Sequence, residues 1–536
     1  MNLGRDALRL WPWLGAVTTG LLCAASFPPF DQWWLCWIAL APLLASIWFG
    51  EGRARRSKWR GLLLGYTAGL TYFWTVFSWL TTVTVLGWFL LQFYMAVYLA
   101  LWGWLAGALR PQQQSQHAMR DGEWLRSWRN LLLASLLACG WVAQEYLRSR
   151  VFSGWGWDGL GAAMHRQLAL IQVAEFTGVA GLSFVAAFVN VIVVVTVRRI
   201  VAEMRSGVLR PHFDLTLTMA GVIGLMAYGL HAMHRERESK TVRVALVQAN
   251  VPREEKFDAA YAPKIFERFR RLSEPALRAA ARPELIVWPE SSTPAPVLED
   301  EATYDFVTHF AADARADLLL GTIDVQEKQA YNAALLVGEE GRRLQLYRKL
   351  HLVPFGEYLP GRRTVPFLAQ IVTQVPEDFT SGKEYTVFHL SKDNIAVAPL
   401  ICFEDTIGEL TRQFVLNGAA LLANVTNDGW FLKSAGSQQH LANAVFRTVE
   451  TRRPLIRAAN TGVTCIINEW GRITQVLLDD TGSQFTEGVL IGEVAVPMGN
   501  QQTFYVRHGE VFAYVCAAVS ALTLASLVIR RWRGSR

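Results

Sequence analysis

The sequence predicts a multi-span α-helical membrane bundle joined to an α/β domain of two packed sheets, and three observations predict it. Charged residues make up only 18% of the 536, while 52% are hydrophobic. Apolar runs fill about the first 230 residues before a more polar stretch begins. From Thr241 onward, short apolar strands alternate with amphipathic helices, the pattern of an α/β fold. The chain is also too long for one ordinary core, so two or more folded units are expected.

Eight apolar segments, at about 10–27, 32–49, 59–80, 83–106, 129–148, 177–197, 214–232 and 508–530, read as spanning helices. Each approaches the roughly 20 residues that a bilayer requires. Basic residues test the count, because they collect on the cytoplasmic side. Arg53, Arg55, Arg56, Lys58 and Arg60 follow the second segment, and Arg110, Arg120 and Arg126 the fourth. Arg198, Arg199, Arg205 and Arg210 follow the sixth, and Arg530, Arg531, Arg533 and Arg536 the eighth. Residues 28–31 and 81–83 carry no basic side chain, and only the connection with Arg148, Arg150 and Arg166 departs from the pattern.

With Arg5 and Arg9 inside, residues 1–232 hold seven spans, 233–507 form a domain on the non-cytoplasmic face, and 508–536 return as a last span with a basic tail. Both termini are then cytoplasmic. The net charge of +7 is accounted for as an orientation signal, so nucleic acid is not expected as a partner. The basic start resembles a cleavable signal peptide, but a second apolar segment follows at once and a retained helix is expected.

In the outward domain, strands are expected at Val242 to Ala249, Glu284 to Trp288, Leu318 to Thr322, Ala333 to Val337, Arg343 to Tyr347 and Ile395 to Ile401. Helices are expected at Ala259 to Ala281, Glu301 to Ala314 and Ile407 to Leu416. Further strands near Ala420 to Val425, Pro454 to Ala458, Thr464 to Asn468 and Ile473 to Leu478 supply a second sheet. The apolar stretch within 362–388, with Val365, Phe367 and Ile371, either packs on this core or forms a lid that dips toward lipid.

Three strands end on chemistry. Glu284-Leu-Ile-Val-Trp-Pro-Glu290 delivers a carboxylate, Arg343-Leu-Gln-Leu-Tyr-Arg-Lys349 an amine and Asn394 to Cys402 a thiol. Strand ends are where α/β folds place their sites. A thiol needs a base to take its proton and a cation to steady the oxyanion formed on attack at a carbonyl, and Glu290 and Lys349 fill those roles. His351 follows Lys349 by two positions and reads as a strand-end surface residue rather than the base. Of the six cysteines, 23, 36, 139 and 516 lie in or beside spans and read as apolar filler. A Cys402–Cys465 disulfide is the alternative that would abolish thiol chemistry. No metal-ligand spacing and no glycine-rich phosphate loop is present, so no metal and no cofactor is expected.

Val287-Trp-Pro-Glu290, Tyr347-Arg-Lys349, Pro354-Phe-Gly-Glu357 and Ile401-Cys402-Phe-Glu404 together resemble the motifs of the nitrilase superfamily. With spans on both sides of the domain, the chain resembles the apolipoprotein N-acyltransferase family within it. That resemblance implies an α-β-β-α sandwich with Cys402 as nucleophile, Glu290 as general base and Lys349 as oxyanion cation. Glu357 is implied as a support that orients the lysine, and Glu404 as a residue important beside the nucleophile. Phe257, Asn332, Phe403 and Trp430 match positions that contact substrate, with Phe403 standing where relatives often carry Tyr and Phe257 where they often carry Trp. The implied reaction is ping-pong: an acyl chain passes from a phospholipid donor to Cys402 and then to the α-amine of a diacylglyceryl-modified apolipoprotein. A bacterial inner membrane location, a periplasmic catalytic domain and a monomer are implied with it. A membrane-tethered amidase acting on small amides is the rival, and a transporter or scaffold a second one. The first leaves eight spans unexplained, and the second finds few ionisable residues in the spans.

Overall fold

The computed structural model describes residues 3–50, 54–111, 122–208, 210–256, 259–362 and 377–533, so Phe257 and the centre of the expected lid lie outside the described residues. The chain divides into two compact units, one of Met1–His234 with Glu510–Arg536 and the other of Arg235–Gly509.

The first unit is helical. Among the described residues, Val85–Ala108, Val179–Ser206, Phe213–Met233 and Val511–Arg530 are long and apolar enough to cross a membrane. Helices Leu3–Ala25, Ala54–Val76 and Glu123–Arg148 are as long but carry more charge toward their ends. Helices Ala54–Val76 and Val85–Ala108 pack with backbones almost touching. A Cβ placed on Gly61 would lie 2.3 Å from the Gly103 carbonyl oxygen, and one on Gly103 2.4 Å from that of Gly61. Small residues at this crossing replace the hydrophobic drive that lipid removes.

The second segment departs from its expected form. Residues 32–49 are not one helix but a 3₁₀ turn at Trp33–Trp37 and a nine-residue helix at Ala41–Phe49. The broken backbone is satisfied from elsewhere. Asn190, buried in the middle of Val179–Ser206, accepts from the Leu40 N–H at 2.8 Å and donates to the Cys36 carbonyl at 2.8 Å. The Thr19 hydroxyl accepts from the Leu43 N–H at 2.9 Å. Non-helical backbone is tolerated at such depth only when its polar groups are paired within the protein.

The second unit is the expected α-β-β-α sandwich. Its strands, among the described residues, are β1 Ser239–Gln248, β2 Leu285–Val287, β3 Asp317–Gln326, β4 Gln329–Val337, β5 Leu344–Arg348, β6 Phe388–His389, β7 Ala396–Ile401, β8 Leu421–Thr426, β9 Leu455–Ala459, β10 Cys465–Ile467, β11 Ile473–Val476 and β12 Gly488–Pro497. One sheet runs β12-β1-β2-β3-β4-β5 and the other β11-β10-β9-β8-β7-β6. The sheets face one another, β1 against β9, β3 against β8 and β4 against β7. Central strands β1, β2 and β3 are parallel, as are β7, β8 and β9, so their ends align at the same edge. Helices Ala262–Leu277 and Glu301–Ala314 cover the first sheet through a core of Phe269, Trp288 and Phe310. Helices Gly408–Leu416 and Gly436–Thr451 belong to the second half, and the latter was not foreseen because nearly all its faces are buried and leave no amphipathic period. Strand β12 was also missed.

Asn190→Leu is expected to lower the unfolding temperature of the detergent-solubilised chain, because it orphans two buried backbone groups at about 1–3 kcal/mol each. A melting curve matching wild type contradicts that role for the side chain.

Candidate active site

Glu290 lies three residues past β2, and the backbone there is held closely. Gly321 of β3 faces it so tightly that a Cβ would stand 2.5 Å from the Glu290 Cα, a spacing only glycine allows. Ser292 reaches back with both its N–H and its hydroxyl to the Gly321 carbonyl, at 2.8 and 3.0 Å. No helix follows for Glu290 to cap. Ser291 turns through a left-handed conformation with φ of 47° instead, which sends the chain away and leaves the carboxylate in the site.

Lys349 follows β5 directly and is 1% exposed. Its Nζ lies 2.8 Å from Glu357 Oε2, 2.9 Å from Glu357 Oε1 and 3.9 Å from Glu290 Oε1. Burial alone pulls an ammonium down, but Glu357 and Glu290 outweigh it and hold Lys349 well above the usual lysine range. The cation is therefore fixed at any working pH. Asn332 of β4 does more than border a pocket. Its Nδ2 donates to Glu290 Oε1 at 2.8 Å and to Glu357 Oε1 at 2.7 Å, which spaces the two carboxylates around the lysine. Glu357 is steadied further by the Val353 N–H at 2.8 Å.

Cys402 ends β7 and turns with φ of 52°, the left-handed conformation of a sharp strand-to-helix elbow. All six cysteines are free thiols, so no disulfide joins Cys402 to Cys465. Burial pushes the Cys402 thiol far above the usual thiol range, Glu290 adds to this, and Lys349 acts against it. At rest the group is a neutral thiol beside a carboxylate and an ammonium. Glu404, two residues on and fully buried, accepts from the Tyr347 hydroxyl at 2.8 Å, the Leu350 N–H at 2.8 Å, the His351 N–H at 3.1 Å and the Ile401 N–H at 2.9 Å. Burial raises its carboxyl to about 7, with Lys349 and these donors acting the other way.

Phe403 stacks against His351 with ring centroids 5.7 Å apart, so His351 is half-buried in an aromatic pair rather than a surface residue. Trp430 sits half-buried in the turn Asp428–Phe431. Behind residue 402, the Cys402 carbonyl accepts from Asn424 Nδ2 at 3.0 Å and lies 3.3 Å from His440 Nε2. His440 also contacts Asp405 at 2.7 Å and Asp428 at 3.0 Å, and Arg457 pairs with both carboxylates at 3.4 and 3.1 Å. Burial works against the imidazolium, but Asp405 and Asp428 prevail over it and over Arg457 and raise His440 to about 9. Sequence reasoning missed this cluster, and it missed Lys256, whose Nζ donates to the Glu290 carbonyl at 2.7 Å. For His440 the only signal was a polar residue inside a helical stretch, and Lys256, at the end of the charged run Arg253-Glu-Glu-Lys256, carried none. The described part of the 362–388 segment runs beside the site, its Phe379 and Gly382 N–H groups donating to the Glu357 and Lys349 carbonyls at 2.8 Å.

The α-β-β-α sandwich with this cluster at its strand ends defines a protein of the carbon–nitrogen hydrolase class, and residues 243–501 match the Carbon-nitrogen hydrolase family. Residues 19–192 match the Apolipoprotein N-acyltransferase N-terminal domain. Over 98% of its length the chain is 34% identical to an apolipoprotein N-acyltransferase of Geobacter metallireducens, 97% of which is covered. It is 28% identical to one of Chlorobaculum tepidum, with 97% of each chain covered. The chain belongs to the apolipoprotein N-acyltransferase family. A solved carbon–nitrogen hydrolase from Helicobacter pylori G27 aligns over 51% of this chain and 95% of its own, at 16% identity and a TM-score of 0.37.

Lys349→Met is expected to destabilise the domain by about 3–5 kcal/mol in chemical unfolding, because two buried carboxylates lose their cation. His440 titrates near 9 when folded and near 6.5 otherwise, so the stability its charge supplies is complete below 6.5 and is lost as pH rises through 9. The stability gap between wild type and His440→Gln is therefore expected to narrow over that window by at most about 3 kcal/mol. A gap that stays constant from the low to the high end contradicts the charged cluster.

Proposed function

We propose that the chain is an acyltransferase that moves a fatty acyl chain from a membrane phospholipid to the α-amine of the N-terminal S-diacylglyceryl-cysteine of apolipoproteins, through a thioester on Cys402. One conjunction supports this reading: a buried Glu–Lys–Cys cluster in a chain rich in apolar helices, similar over nearly its full length to relatives named apolipoprotein N-acyltransferase. A small-amide hydrolase needs no such bundle.

In the first half-reaction, Glu290 takes the Cys402 proton as Sγ attacks the ester carbonyl. Lys349 faces the oxyanion, held in place by Glu357 and Asn332 so that little reorganisation is needed as charge develops. Collapse expels the lysophospholipid alkoxide, which Glu290 protonates. In the second half, the acceptor amine attacks the thioester, Glu290 takes a proton from it, and the Cys402 thiol is released. Phe403 and Trp430 are assigned to the acyl chain, as is Phe257. Exposed Phe355, two residues before Glu357, and exposed Leu432, two after Trp430, add apolar surface suited to a lipid.

The basic connections support an inner-membrane protein with both termini cytoplasmic and residues 233–507 facing the periplasm. The two pieces of the second segment count together as one crossing, which keeps seven spans in 1–232 and one in 508–536. The enzyme is proposed to act as a monomer without a metal or cofactor.

Intact-mass analysis after incubation with phospholipid tests the mechanism. Wild type is expected to gain one acyl mass that hydroxylamine removes, and Cys402→Ala none. Glu290→Gln is expected to slow acylation at least about 10²-fold. A folded wild type that never gains the adduct, while hydrolysing small amides, favours the amidase instead.

A further inference from the structure

Lys256 is 3% exposed, and burial of a lysine is rare without a carboxylate to pair with it. Among the described residues its one hydrogen-bond partner is a backbone oxygen, that of Glu290, at 2.7 Å. That carbonyl belongs to the peptide leading into Ser291, the residue with left-handed φ of 47°. Glu290 is thus gripped from two sides, by the bare Gly321 backbone and by an ammonium group. The titratable groups facing this ammonium are the Glu290 carboxylate past β2 and the Cys402 thiol past β7, with Lys349 and Glu357 beyond Glu290. Burial draws Lys256 down to about 8, while Glu290, and Cys402 in its thiolate form, pull it upward.

We propose that Lys256 is a positioning residue of the site, which clamps the Glu290 peptide and sets a second positive charge beside Cys402 that favours the attacking thiolate. The proton still passes from Sγ to the Glu290 carboxylate, and Lys256 takes no part in bonding to the acyl group. Lys349 is committed to two carboxylates, so its charge is largely offset before the thiolate forms. Lys256 faces Cys402 as well as Glu290, so its charge also bears on the sulfur. The proposal rests on the acyl-transfer reading only for the identity of the electrophile.

The test uses the full-length protein in detergent and a small alkylating agent, iodoacetamide, with modification at Cys402 read by peptide mass spectrometry. At pH 8, Lys256→Met is expected to react about tenfold more slowly than wild type, one pKa unit of lost thiolate, and Lys256→Arg within about twofold. The wild-type rate is expected to climb less steeply above about pH 8, where Lys256 loses its charge, and Lys256→Arg is expected to lack that break. A wild-type profile with no break overturns the proposal without any variant. So does Lys256→Met with wild-type rates of both alkylation and acylation, whereas a variant that loses phospholipid acylation but keeps the wild-type alkylation profile overturns the charge role and leaves the clamp on Glu290. If wild type forms no thioester with phospholipid while alkylation still depends on Lys256 as described, the donor assignment fails and the positioning role stands.

Discussion

Glu404 is completely enclosed, yet its two oxygens collect four donors, three from the segment around Lys349 and one from the strand that ends at Cys402. Those donors belong to different sheets. The spacing between the sheets is thereby converted into the spacing between Lys349 and Cys402, and an interior carboxyl that burial raises to about 7 is kept useful as an acceptor only while all four remain in reach. A small slide of one sheet over the other removes a donor, and low dielectric makes the loss expensive.

Around that anchor the site is a balance of buried charge. Two carboxylates enclose the Lys349 ammonium, a second ammonium, Lys256, donates to the Glu290 carbonyl, and burial keeps the Cys402 thiol neutral at rest. Beneath the elbow, Arg457 and His440 offset Asp405 and Asp428. The two clusters meet at one atom group, the Cys402 peptide, whose carbonyl accepts from His440 and Asn424. A left-handed cysteine survives there because its surroundings over-determine it.

The three strand ends were legible in the sequence because an apolar run that stops on a polar residue marks both the strand and its mouth. Helix Glu301–Ala314 was equally plain, bounded by Asp300, whose side chain caps the Thr303 N–H. What stayed hidden was either buried on every side or defined by a distant partner. Helix Gly436–Thr451 hides Gln439, His440 and Arg447 inside the domain and so shows no polar face. Lys256 meets Glu290 across 34 residues, and Asn332 joins carboxylates 42 and 25 positions away. No local pattern encodes such pairings. The break in residues 32–49 was invisible for the same reason, since its compensation comes from Asn190.

A nine-residue helix extends about 14 Å, roughly half the hydrocarbon thickness, so Ala41–Phe49 does not cross a bilayer alone. During synthesis Leu40 emerges 150 residues before Asn190. Throughout that interval the Leu40 amide and Cys36 carbonyl lack the Asn190 side chain that pairs them in the finished fold.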